Sequence, residues 1–247
     1  MTPVTPATPP NPDRSAHPDS PGGTFRTAGL RRRGLLRTGA AGVAALAAAL
    51  LPGPARAQGT GAGAGAVQPD IDSTSTWGAR APQGTISVLR HRPSGIVIHH
   101  TASTNSTDFS RAQAHAHARW VQDLHLDENG WADTGYHFLV SRGGWITEGR
   151  HGSLSALTGG SSFVLGAHTS GQNDRTIGIA NEGSYHAGAL PPEAQWDVLV
   201  TLCAYVCAQY GIAPAQITGH KDHGTTLCPG VYHDMLPRLR EEVAAAL

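Results

Sequence analysis

Gly95-Ile96-Val97-Ile98-His99-His100-Thr101 is a run of β-branched residues that ends in two histidines. Such side chains fit the pleated surface of a sheet, and an unbroken apolar run of this length reads as a buried strand. Polar rings at the end of a buried strand need partners, so a site is expected there. Neighbouring strand residues point to opposite faces, so only one of His99 and His100 can reach it. The matching stretch is Gly219-His220-Lys221-Asp222-His223-Gly224-Thr225-Thr226-Leu227-Cys228-Pro229-Gly230. It has no apolar period and sets a histidine and a thiol eight residues apart in a short loop. Imidazole and thiolate are ligands that Zn²⁺ prefers. His220 and Cys228 with one strand-end histidine would make a three-ligand zinc site, and a fourth position left for water is what catalytic zinc requires. His223, three residues after His220, is a candidate to compete for the metal, less favoured than the other three.

The 247-residue chain has 39% apolar residues, enough for a buried core, and 18 basic against 18 acidic residues. That balance hides an asymmetry. Seven arginines and only two acids precede Gln58, leaving 11 basic and 16 acidic residues in the rest. A mildly acidic domain without a basic run is a poor candidate for nucleic acid or an anionic membrane. Residues 1–30 are rich in Pro, Ser, Thr and Gly and cannot bury enough apolar surface to order themselves. Arg32-Arg33-Gly34-Leu35-Leu36, the short apolar run Gly39 to Leu51 and the small-x-small Ala55-Arg56-Ala57 then resemble a twin-arginine export signal over residues 1–57. A secreted or cell-envelope protein is expected. No cysteine follows the apolar run, so no stable membrane anchor is expected. Residues 58–70 read as a Gly/Ala-rich linker, and the folded domain as residues 71–247.

Outward from the strand, Trp77 reads as packing on the core edge. Phe109 to Leu124 reads as a helix whose His115 and His117, two apart, are solvated. Tyr136 to Val140 and Trp145 to Glu148 form a hairpin, with Tyr136 on the face of Phe138 and Val140 as a core residue. Gly152 to Phe163 is a surface loop by composition. Thr176 to Glu182 is another strand with Gly178, Ala180 and Glu182 on one face, where Glu182 is a catalytic acid or a solvated strand end. Pro191-Pro192 opens and Gly211 closes a helix whose stripe of Trp196, Leu199, Cys203 and Cys207 marks both cysteines as buried apolar groups. Met235 to Leu247 is a last amphipathic helix, with Pro237 in its first turn.

Trp77-Gly78-Ala79, Ile98-His99-His100-Thr101, Gly135 to Val140, Glu148-Gly149-Arg150, Gly166-Ala167-His168, Ile177-Gly178-Ile179 and the Gly219 to Gly230 loop follow one another in an order that is similar to a known family. The chain resembles the zinc-dependent N-acetylmuramoyl-L-alanine amidases, which share a fold with peptidoglycan recognition proteins. The resemblance implies an α/β single domain with a mixed central β-sheet flanked by helices. It also implies a monomer acting on peptidoglycan at the bond between N-acetylmuramic acid and L-alanine. His99, His220 and Cys228 would be the zinc ligands, with His100 turned away. Tyr136 would hydrogen-bond the reacting centre, Thr226 would stand where some members place a lysine, and His168 and Asn173 would contact substrate. A related branch carries a glutamate where this chain has Ala180, and Glu182 is the possible substitute. His151-Gly152 matches neither of the residue pairs with which recognition-type members sense the stem peptide.

Three rivals stand beside this reading. One is a protein that binds peptidoglycan without cutting it, a role in which relatives commonly lose the thiol. Another is a cysteine amidase with Cys228 as nucleophile and His220 or His223 as base. The third, a metal-storage loop, lacks a repeated histidine tract.

Overall fold

The structure, a computed structural model, describes residues 66–247. The export signal and most of the linker lie outside the described residues. Among the described residues no helix is long and apolar enough to cross a membrane. Six strands form a mixed sheet in the order β1 (Ile71–Asp72), β5 (Ile146–Glu148), β4 (Phe138–Val140), β7 (Thr176–Asn181), β3 (Gly95–His100) and β8 (Ile217–Gly219). Only the β4–β5 hairpin is antiparallel. A separate antiparallel pair joins β2 (Val88–Leu89) to β6 (Phe163–Val164).

β3 and β7 are buried at every position, as central parallel strands covered on both faces must be. Ile96, Ile98, Phe138, Val140, Ile177, Ile179 and Ile217 pack against α4 (Glu193–Tyr210) and α6 (Leu236–Ala245). The alternate residues Leu139 and Ala180 meet Trp77, Tyr136 and the helix α2 (Arg111–Asp123) through Ala118 and Val121. This α/β sandwich agrees with the expected fold. α4 ends at Gly211, which adopts the left-handed φ of 74° and closes the helix through its N–H to Cys207 O. Cys203 and Cys207 are buried in its apolar stripe, and Pro237 lies in the first turn of α6. Trp77 ends the short α1 (Thr74–Trp77) and is fully buried, with Nε1 donating to Glu148 O (2.8 Å).

Four expectations are corrected. The stretch from Gly152 to Phe163 is not a loop: it holds α3 (Ser153–Gly159), which buries Ala156 and Leu157 against the core, and runs into β6. Its Gly/Ser/Thr composition hides a two-residue apolar anchor. Tyr136 does not share the face of Phe138 and Val140. It lies before the regular part of β4, and packs with Leu139 and Ala180 on the opposite face. His117 is buried, not solvated, because α2 turns it toward the sheet. Glu182 is 1% exposed and so is not a solvated strand end; Gln113 and the backbone of Arg142 cover it.

Candidate metal centre

Strand register brings the ligands together. β3 pairs in parallel with β8, Ile98 opposite Gly219, so the next residues, His99 and His220, stand level on one face of the sheet. Their ring centroids are 4.6 Å apart. Past β8 the chain makes one 3₁₀ turn, His220–Asp222, and α5 (Val231–Asp234) begins just after the loop. Lys221 N donates to Cys228 O (2.9 Å) and Cys228 N to Thr226 Oγ1 (3.1 Å), which folds the thiol back over the strand ends. Gly230, at φ 67°, leaves no room for a side chain against the Tyr185 backbone, so only glycine closes the loop here. Asp222 fixes the other side, accepting from Gly219 N (2.8 Å) and lying 2.6 Å from His233 Nε2.

Cys228 Sγ lies 3.6 Å from His99 Nδ1 and accepts from His100 N (3.3 Å). Ligand atoms of His99, His220 and Cys228 all fall within 4.8 Å of one another. Burial pushes the Cys228 thiol up to about 12, and the His100 N–H works against that shift. A buried thiol beside two imidazoles is the borderline-soft donor set that suits zinc, so these residues fit the metal. The ring of His100 faces the other way, where Tyr185 N donates to its Nδ1 (3.1 Å). His223 turns to Thr218 Oγ1 (2.9 Å) and is not part of the cluster.

A second layer of histidine sets the tautomer of the first. His168 Nε2 faces the carbonyl of Thr176 (3.3 Å), which can only accept, so this nitrogen carries the proton and Nδ1 is the acceptor. His168 Nδ1 then accepts a hydrogen bond from the Nε2–H of His99 (3.1 Å), leaving the lone pair of His99 Nδ1 turned toward Cys228. Burial, reinforced by His137, holds His168 well below its usual value, so the ring is neutral. A methyl group at Gly166 or Gly178 would overlap the His168 ring, so both positions must lack a side chain. His168 is therefore a buried partner of His99. Asn173 Oδ1 accepts from His168 N (2.7 Å) and Thr169 N (2.9 Å), holding the loop that presents the ring. The expected substrate contacts His168 and Asn173 thus stand behind His99 as its support, a placement to which only the two glycines pointed.

Tyr136 lies beside His99, with ring centroids 5.1 Å apart, and packs on Leu139 and Ala180. Burial, with Cys228 nearby, raises its phenol well above the usual value, so it stays protonated. His125 stands on its other side, 5.4 Å away by ring centroids, and accepts from Gly135 N. Glu182 is outside the metal cluster: Gln113 Nε2 donates to Oε1 (2.8 Å) and Arg142 N to Oε2 (3.0 Å).

Residues 89–231, more than half of the chain, match the family described as N-acetylmuramoyl-L-alanine amidase. The chain belongs to this family. It is 33% identical to peptidoglycan-recognition protein SC2 of Drosophila simulans over 161 residues, 65% of this chain and 80% of that protein. It is 34% identical to the human N-acetylmuramoyl-L-alanine amidase over 166 residues, 66% of this chain and 27% of that longer one. Among solved structures, a Drosophila PGRP-LB mutant in complex with tracheal cytotoxin is similar with a TM-score of 0.56 and 30% identity, covering 65% of this chain and 88% of that one. The amidase family thus meets this chain from two sides, named hydrolases and named recognition proteins, on one fold.

Proposed function

We propose that this family member is a zinc-dependent amidase that hydrolyses the bond between the lactyl group of N-acetylmuramic acid and the L-alanine of a peptidoglycan stem peptide. The observation that carries the reading is the thiol. Cys228 completes a three-donor set with His99 and His220, and binding peptidoglycan without cutting it would need no such set. The complex of a Drosophila relative with tracheal cytotoxin supports a peptidoglycan ligand.

Bound zinc would supply an activated water and a Lewis acid at the scissile carbonyl. The chain's own groups then act around that centre. His168 holds His99 in the tautomer that offers Nδ1. Tyr136, kept protonated by burial, donates a hydrogen bond to the carbonyl oxygen as negative charge grows there. Thr226 spends its acceptor on Cys228 N and keeps its own proton as a second, uncharged donor. A water passes the proton released by the nucleophile on to the leaving amine. Glu182, with both oxygens held by Gln113 and Arg142, keeps the neighbouring wall in place.

Export by the twin-arginine route fits this site, because that route carries folded proteins and lets zinc be loaded first. Replacing Arg32 and Arg33 together by lysine should leave the precursor inside the cell; unchanged secretion contradicts the route.

The direct test incubates the zinc-loaded protein with peptidoglycan and analyses the soluble products by mass spectrometry. Stem peptides with a free L-alanine amine are expected, lost on chelation and restored by zinc. Release that survives chelation but stops on thiol alkylation would assign Cys228 as a nucleophile instead. No release at all would overturn the reading.

A further inference from the structure

His99 pairs with Ala180 of β7, and Glu182 follows two residues later on the same face. At about 3.3 Å per residue, that carries Glu182 well past the metal cluster. A cleft of about 650 Å³ opens there between the turn after β3 and the helix α2. Ser103 and Thr104 line it from the turn, Gln113, His117 and Trp120 from α2, and Glu182 from the strand end. Trp120 is 46% exposed, a large apolar face left open to water on the cleft wall. The His117 ring stacks on it with centroids 5.5 Å apart. His117 Nδ1 is 4.0 Å from Glu182 Oε1, and its buried Nε2 has no hydrogen-bond partner among the described residues. Burial, only partly opposed by Glu182, lowers His117 below its usual value, so the ring is neutral.

These features narrow the ligand. No lysine or arginine lines the cleft, so a phosphate or carboxylate would meet a buried carboxylate without a counter-charge. A wholly apolar ligand would cover hydroxyl, amide and imidazole groups without pairing them. A pyranose ring satisfies both demands, with one face of C–H bonds for an indole and a rim of hydroxyl and acetamido groups for polar side chains. We propose that this cleft is a saccharide subsite, in which Trp120 stacks on an N-acetylhexosamine while Gln113, His117 and Thr104 pair with its rim. The assignment deepens the amidase reading and rests on it: the sugar bound is a neighbour, along the glycan strand, of the muramic acid whose amide is cut.

The test compares native protein with Trp120→Ala, a change at a half-exposed position. Two substrates carry the same stem peptide, one on a single N-acetylmuramic acid and one on a tetrasaccharide. The change is expected to lower kcat/KM on the tetrasaccharide by about tenfold, the scale of one aromatic contact, and to leave the single-sugar substrate unchanged. Equal loss on both, or no loss on the tetrasaccharide, overturns the subsite. Titration with tri-N-acetylchitotriose, followed by tryptophan fluorescence and calorimetry, separates this proposal from the amidase reading. Should the native protein cut neither substrate, the amidase reading falls, while saccharide binding lost in Trp120→Ala would still support the subsite. No binding, or binding unaltered by the change, would overturn it.

Discussion

The two faces of the central sheet use the same residue types for different ends. On the α4 face, Cys203 and Cys207 lie among Leu199, Leu202 and Val206, and burial drives both thiols up, Cys207 to about 11. On the α2 face, Cys228 is raised by burial as well, to about 12. Burial alone therefore does not distinguish a packing thiol from a ligand. What differs is the company: two imidazoles within 4.8 Å and a backbone N–H on the sulfur of Cys228, against hydrocarbon around Cys203. His99 and His100 repeat the lesson one residue apart, the first beside His220 and the second under Tyr185 N. Strand alternation assigns each its face, and the face assigns its chemistry.

That contrast can be broken most severely at the thiol itself. Cys228→Ala should lower zinc affinity by at least about two orders of magnitude, since one of three protein ligands is gone, and peptide release should fall to background. Equilibrium dialysis against a zinc buffer reads the loss. His168→Ala comes next, because it frees the His99 ring without removing a ligand. Zinc affinity should drop about 10–100-fold, the usual effect of removing a partner behind a ligating histidine. Cys203→Ser sharpens the comparison from the other face. Burying a hydroxyl among apolar groups should cost about 1–3 kcal/mol in denaturant unfolding, with zinc binding unchanged. The smallest effect is expected for His223→Ala, which removes a bond to Thr218 and should leave the zinc content as it is.

Much of this contrast is legible in the sequence. The β-branched run ending at His99 and the three-and-four stripe of α4 are local patterns that packing reinforces. The His220 to Cys228 spacing carried the donor set because the chemistry of the residues is itself the signal. What stayed hidden depends on contacts between distant segments. The face of Tyr136 followed from where β4 begins, at Phe138, a boundary that alternation alone does not fix. The burial of Glu182 and His117 needed α2 laid over the strand ends. α3 was masked by glycine, serine and threonine around its few apolar anchors. The bond from His99 to His168 joins residues 69 apart and shows in the sequence only as glycines at 166 and 178.

The measurement closest to the central claim is the optical spectrum of the protein loaded with cobalt(II) in place of zinc. A site built from His99, His220 and Cys228 predicts a thiolate-to-cobalt charge-transfer band in the native protein that disappears in Cys228→Ser. A band that persists in that variant, or a native spectrum without one, would contradict the ligand set on which the account rests.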